Sequence, residues 1–191
     1  MNEAELIALL KAGDAEAFKY IVHQWQDMVY NTSLGIVQHA EEAADVSQDV
    51  FVQVFESIAQ FKGDAKFSTW LYRIAVTKSL DHLRKKKRKK RFAYVQSLFG
   101  LNDEELPTIT ENPFFHPGVL LEQKENAAIL MQAISQLPEN QKSAFVLHKM
   151  EGLSYLEVAE VMECSLSSVE SLMHRAKLNL KKLLKEYYQN I

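Results

Sequence analysis

Phe67-Ser-Thr-Trp-Leu-Tyr-Arg-Ile-Ala-Val-Thr-Lys-Ser-Leu-Asp-His-Leu-Arg84, followed directly by Lys85-Lys-Lys-Arg-Lys-Lys-Arg91, joins an apolar, aromatic half to eight consecutive positive charges. The spacing predicts a helix that starts after a Ser68 or Thr69 cap. One face carries Leu71, Tyr72, Ala75, Val76, Leu80 and Leu83; the other carries Trp70, Arg73, Thr77, Lys78, Asp81 and Arg84, with Ile74 the single apolar residue among them. From Thr69 to Arg91 such a helix is roughly 35 Å long, more than one small domain needs for its core. Its basic end is expected to project into solvent.

Like charges in a row persist where water or a polyanion takes them up. DNA fits that description: counterion release from phosphates supplies affinity without sequence preference, and the neighbouring aromatics can stack on unpaired bases. The plainer alternative is a solvated helix end with Phe67 and Trp70 at the margin of the core.

Outward from this stretch, charge is segregated. The 191 residues carry a formal net charge of only −3, yet residues 1–60 hold ten acidic and two basic side chains. An acidic surface beside a basic one implies two partners of different character. Cys164 is the only cysteine, so no disulfide forms within the chain and a Cys-ligated metal cluster is excluded; a reducing, cytoplasmic setting is expected. The acidic, amphipathic N-terminus is unlike a signal peptide, and no stretch is apolar enough for a membrane span. There is no glycine-rich phosphate loop, His-Glu-x-x-His or Cys-x-x-Cys, and the six histidines do not cluster. The chain reads as a protein that is not an enzyme and needs no cofactor or metal.

Gly and Pro are sparse and no period-two alternation recurs, so the fold class is all-α. A first helix covers about Glu3–Ala12, and Asp14 caps a second one built on Phe18, Ile21, Val22, Trp25, Met28 and Val29. A third spans about Ala40–Gln60. Its expected buried stripe is Ala43, Ala44, Ser47, Val50, Phe51, Val54, Phe55 and Ile58, against an acidic face of Glu41, Glu42, Asp45, Gln48, Asp49, Gln53 and Glu56 around an exposed Val52. That face is a candidate dock for a basic partner.

Residues 92–118 hold Gly100, three prolines and Asp103-Glu104-Glu105, and are expected to form a flexible linker between two small helical domains, 1–91 and 119–191. In the second domain Leu120, Ala127, Leu130, Met131 and Ile134 give one helical stripe. Leu137-Pro138-Glu139 opens a further helix that runs through Lys149 and ends at Gly152. From Ser154 to Lys177, the positions of Val158, Ala159, Met162, Cys164, Val169 and Leu172 fit a helix-turn-helix spanning 155–174. Its candidate DNA-facing residues are Ser154, Tyr155, Ser165, Ser167, Ser168, Glu170, Ser171, His174, Arg175 and Lys177.

Four segments together resemble bacterial RNA polymerase sigma factors of the extracytoplasmic-function (ECF) group. They are Ala44-Asp-Val-Ser-Gln-Asp-Val-Phe51; Phe67-Ser-Thr-Trp-Leu-Tyr-Arg-Ile-Ala75 with Asp81-His-Leu-Arg84; Leu137-Pro-Glu-Asn-Gln141; and Glu151-Gly-Leu-Ser-Tyr155 with Val169-Glu-Ser171 and His174-Arg-Ala176. The resemblance implies a transcription-initiation subunit that binds core RNA polymerase. Asp45, Gln48, Asp49 and Val52 would meet the clamp helices of its largest subunit, with the polymerase's flap region a further contact. It also implies that Phe61, Lys62, Phe67, Ser68, Thr69, Trp70, Arg73, Thr77, Lys78, Asp81, Arg84, Lys85 and Arg88 recognise and melt the minus-ten promoter element. The helix-turn-helix would read the minus-thirty-five element, and an anti-sigma factor would be the inhibitory partner. The sequence departs from the family pattern at Thr77 (often Asn), at Glu163 (usually a turn glycine), and at Glu170 and Leu172 (commonly basic). The rival reading is a free-standing helix-turn-helix regulator whose N-terminal domain senses a ligand or dimerises. A helical adaptor without DNA contact leaves the basic run unexplained.

Overall fold

A computed structural model describes residues 2–98 and 121–189, with side chains from 2 to 92 and from 127 to 185. Among them every regular element is helical: α1 (Glu3–Lys11), α2 (Ala15–Val37), α3 (Ala40–Ser57), α4 (Phe67–Leu98), α5 (Leu121–Ser135), α6 (Glu139–Phe145), α7 (Tyr155–Met162) and α8 (Leu166–Gln189). Ile58–Gln60 adds a 3-10 turn, and α6 runs on into a π-helical turn, Val146–Met150.

The helix starts follow side-chain capping. Asn2 accepts from the backbone of Ala4 and Glu5, with Glu5 closing a capping box, and Asp14 accepts from Ala17 N at 2.8 Å, as expected. Helix α4 differs from expectation at both ends. Ser68 and Thr69 lie inside its first turn, Thr69 is buried, and the helix continues past Arg91 to Leu98. The rest of the expected linker, 99–118, and Leu120 lie outside the described residues.

The first core gathers Leu6, Leu10, Ile21, Val29, Val46, Val50, Phe51, Val54 and Ile58 around Phe67, Leu71 and Ala75 of α4. Ile74, the misfit on the polar face, packs against this core. Phe55 does not: it is 60% exposed beside Val52, because it sits on the shoulder of the α3 stripe, where the Phe18 ring meets it in a T-shaped contact, 5.5 Å between centroids. A small core, Ala133, Ile134, Leu137, Ala176 and Leu180, ties α5 to α8. Leu130, expected in that stripe, is exposed.

The remaining core crosses between the two halves of the chain. Ile36 of α2 and Tyr72, Val76 and Leu80 of α4 share one apolar cluster with Val146, Leu147, Val158, Val161, Val169 and Met173. Residues Thr32 to Val37 are buried on every side. Gly35 makes the approach possible, since a Cβ there would lie 2.7 Å from Val146 Cγ1. The two helical units therefore pack face to face, and the second covers the Tyr72–Val76–Leu80 stripe of α4.

Gly35→Val is expected to push the second unit off α2. Small-angle scattering should show a larger radius of gyration while circular dichroism shows helical content retained.

Candidate nucleic-acid interface

On α3, Asp45, Gln48, Asp49 and Val52 recur at three- and four-residue steps and are all exposed, as the pattern predicted. Asp45 and Asp49 make no ion pair among the described residues. Glu42, one turn earlier, is different: His82 Nε2 lies 2.9 Å from it and Lys86 also pairs with it. Burial pushes the Glu42 carboxyl up, but the hydrogen bonds from Lys86 and His82 outweigh it and hold the group below its ordinary value. The exposed strip thus begins one turn after a carboxylate already committed to α4. Phe55 extends it with an apolar end.

The segment from Phe61 to the start of α4 holds an aromatic cluster. Phe61 and Phe67 are 5.9 Å apart between ring centroids, Phe61 and Trp70 5.2 Å, Phe67 and Trp70 5.7 Å, and Trp25 caps Phe67 from α2 at 5.2 Å. Phe61, Phe67 and Thr69 are buried, Phe67 completely, so these three have no free face for a base. They belong to the core, because α4 already begins at Phe67, ahead of the expected cap at Ser68 or Thr69, and turns Phe67 inward. Lys62 and Thr77 are exposed, and Ser68, Trp70, Arg73, Lys78 and Asp81 are half-buried. These residues and not the buried aromatics form the surface.

The second unit reaches this surface. Arg73 donates two hydrogen bonds to the Glu160 carbonyl, at 3.1 and 2.7 Å, and pairs with Glu163 at 3.1 Å. Arg84 pairs with Asp81 at 3.3 Å and with Glu139 at 3.1 Å, and Lys87 joins Glu139 at 3.3 Å. Burial opposes ionisation of Glu139, but the bonds from Lys87 and Arg84 win and lower its carboxyl. Lys85 and Arg88 stay exposed on the remaining side.

In the helix-turn-helix, Val158 and Val169 are fully buried and Ala159 nearly so, while Met162, Cys164 and Leu172 are half-buried. Glu163 adopts the left-handed conformation, φ 51° and ψ 44°, that glycine takes at lower cost. Ser154 is an N-cap with a reciprocal bond to Glu157, and Tyr155 packs edge-on against His148 at 4.7 Å. Ser165 Oγ accepts from Ser168 N at 3.2 Å and meets the Ser167 and Ser168 hydroxyls at 3.0 and 2.8 Å. Glu170, Ser171, His174, Arg175 and Lys177 are exposed, and Arg175 Nε donates to Ser171 O at 3.2 Å. Ser167, Ser168, Ser171 and Arg175 line an open groove with Asn140 and Cys164. Ser154 and Tyr155 stand at the far end of α7 from the turn.

Residues 21–89 match the family model for sigma-70 region 2, and 127–180 that for sigma-70 region 4. The RNA polymerase sigma-H factor of Pseudomonas aeruginosa is 32% identical over 96% of this chain and 94% of its own. The ECF RNA polymerase sigma-E factor of Escherichia coli K12 is 30% identical over 93% and 91%. The fold resembles that of CnrH in complex with the cytosolic domain of CnrY, with TM-score 0.67 and 22% identity over 96% and 97% of the two chains. It also resembles the sigma factor RpoE of Bartonella quintana in complex with the anti-sigma factor NepR, with 0.64 and 21% over 90% and 98%. The chain belongs to the sigma-70 family of RNA polymerase sigma factors, in its extracytoplasmic-function group. It is a promoter-directing initiation factor.

No described helix is long and apolar enough to cross a membrane. Sequence reasoning missed Glu139, Glu160 and Phe55. Only the last left a signal, its position at the edge of the α3 stripe next to Val52.

The Tyr72 hydroxyl donates to Glu151 at 3.2 Å across the seam. Burial pushes the Glu151 carboxyl up, against the bond from Tyr72. A group whose folded value is raised contributes stability below its unfolded value and loses it as pH rises through the folded one. At neutral pH the Glu151 charge therefore opposes folding. Glu151→Gln keeps a carbonyl oxygen for Tyr72 and is expected to raise the thermal midpoint at pH 7 by about 2 °C. The gain over the unaltered protein should shrink on acidification, as a pH series of melting curves would show.

Proposed function

We propose that the protein binds core RNA polymerase through Asp45, Gln48, Asp49 and Val52 of α3, opens the minus-ten element with the 61–66 loop and α4, and reads the minus-thirty-five element with α7 and α8. The observation that carries this reading is that an exposed acidic strip, a basic helix and a helix-turn-helix occur in one chain. The strip continues, one turn further along α3, the face from which Glu42 pairs with α4, and its free carboxylates are complementary to a basic partner surface such as the clamp helices of the largest subunit. Residues 1–91 carry the first two tasks, 119–191 the third together with the flap region, and 92–118 connects them.

In the closed packing Arg73 and Arg84 are held by Glu160, Glu163 and Glu139, so they meet promoter DNA only after the two units separate. Core polymerase supplies the surface that keeps them apart. An anti-sigma factor is the corresponding inhibitory partner: the Bartonella relative was solved with one, and a partner that grips both units preserves the closed form. The working compartment is the cytoplasm, where polymerase and promoter are.

Run-off transcription with core enzyme tests the reading. A transcript that depends on this protein supports it, whereas footprinting of the site by the protein alone would favour a free-standing regulator. Asp45→Lys with Asp49→Lys should abolish co-purification with core polymerase while leaving the helical spectrum unchanged, since like charges against a basic surface cost several kcal/mol.

Lys85→Ala and Arg88→Ala should weaken promoter binding about equally on all sequences, and each should lower the salt slope by roughly one if its side chain neutralises one phosphate. Changes at Ser168, Ser171 or Arg175 should instead alter which minus-thirty-five sequences are used, read by transcription from a promoter library.

A further inference from the structure

The two ends of helix α1 touch the two ends of the loop that stands next to the minus-ten surface. Lys11 Nζ donates to the Phe61 carbonyl at 2.7 Å, where the loop leaves the 3-10 turn. Glu3 Oε1 accepts from Phe67 N at 3.1 Å, where the loop enters α4. These contacts bridge 50 and 64 residues of sequence. Glu3 opens α1 and Lys11 ends it, about 12 Å apart along the axis. Leu6 and Leu10 seat the helix in the first core at 4% and 5% exposure, and the Asn2–Glu5 capping box fixes its start.

The chemistry at each end is specific. Helix α4 starts at Phe67, preceded by Lys66, which has no side-chain oxygen to accept a free N–H of its first turn. Glu3 provides that oxygen, and its negative charge suits the positive end of the α4 dipole. At the other end an ammonium meets a carbonyl that the turn leaves unused. Between the two anchors the loop is exposed at Lys62, Asp64 and Lys66 and bends through Gly63 at φ 82°. Both flanking aromatics are buried, so the two anchors act together with them to fix the ends of the exposed backbone.

We propose that Glu3 and Lys11 are positioning residues for promoter opening: α1 holds the 61–66 loop in the shape that receives an unpaired base. This inference rests on the proposed role of the loop at the minus-ten element. A loop ordered in advance adds no ordering cost when the base leaves its stack. The oxygen of Glu3 and a cationic donor at 11 are what matter, so Glu3→Gln and Lys11→Arg preserve the device, while Glu3→Ala and Lys11→Met remove it.

The test uses full-length protein assembled with core polymerase on a promoter that the unaltered protein transcribes. Four quantities are measured: affinity for a single-stranded non-template oligonucleotide covering the minus-ten element, permanganate reactivity of unpaired thymines on the duplex promoter, affinity for core polymerase, and the melting temperature. Glu3→Ala and Lys11→Met are each expected to weaken oligonucleotide binding roughly tenfold, the effect of removing one charge-assisted hydrogen bond. They should slow thymine exposure and leave core affinity unchanged, with Glu3→Gln and Lys11→Arg close to the unaltered protein. Oligonucleotide binding that is unchanged in the Ala and Met variants overturns the inference. So does a loss that tracks the melting temperature and core affinity together, which is what a purely structural role would give. If the unaltered protein yields no transcript, the reading of the loop itself fails and takes this inference with it.

Discussion

Helix α4 has to satisfy two cores at once. Phe67, Leu71 and Ala75 recur every fourth residue into the first; Tyr72, Val76 and Leu80 recur every fourth residue, one position on, into the second. The two stripes are adjacent on the helix surface, so a single rod is clamped between α2 and α3 on one side and α7 with the π-helical turn on the other. Burial of one large apolar side chain contributes about 1.5–3 kcal/mol, which makes the second stripe a substantial part of the stability a domain of this size has to spare. Separation of the units uncovers that stripe together with Ile36. Any partner that holds the open form therefore has to cover it or offset its exposure.

The eight positive charges follow from the same geometry. Successive residues on a helix point in all directions, so a run this long cannot face one ligand. The structure divides it: Glu42 takes Lys86 with His82, Glu139 takes Arg84 and Lys87, and Lys85 and Arg88 to Arg91 are left exposed. Lys142, buried beside Lys87, sharpens the balance at Glu139. Its ammonium is pulled below the ordinary lysine range by burial and by Lys87, with Glu139 opposing. Glu139 thus pairs with two cations while a third, buried one stands near it.

Helix type and order were legible because period and capping are local. Asp14, the α3 face, the turn at 163 and the buried positions of α7 and α8 all rest on residues within a few places of one another. What was not legible depends on contacts between distant segments. The first N–H of α4 is met by Glu3, far back in the chain, and not by Ser68 or Thr69. Phe67 could be read as a stacking surface or as part of the core, because an aromatic side chain suits either role; Trp25 and Phe61 decide that it is core. The sequence predicted two units on a flexible linker and said nothing of how they pack; the features that bring them together, Gly35 against Val146 and Glu139 against Arg84, have no local signature. Phe55 shows the limit of periodicity itself, since a residue on the shoulder of a stripe is buried only if a neighbour reaches it.

Glu163 joins two properties in one residue. Its left-handed backbone costs a non-glycine residue about 1 kcal/mol whether the units are closed or apart, whereas its carboxylate meets Arg73 only when they are closed. A reversion to glycine would relax the turn and at the same moment release the arginine. The geometry of the turn between α7 and α8 and the ion pair to α4 are consequently coupled through this one residue, and a substitution there alters both together.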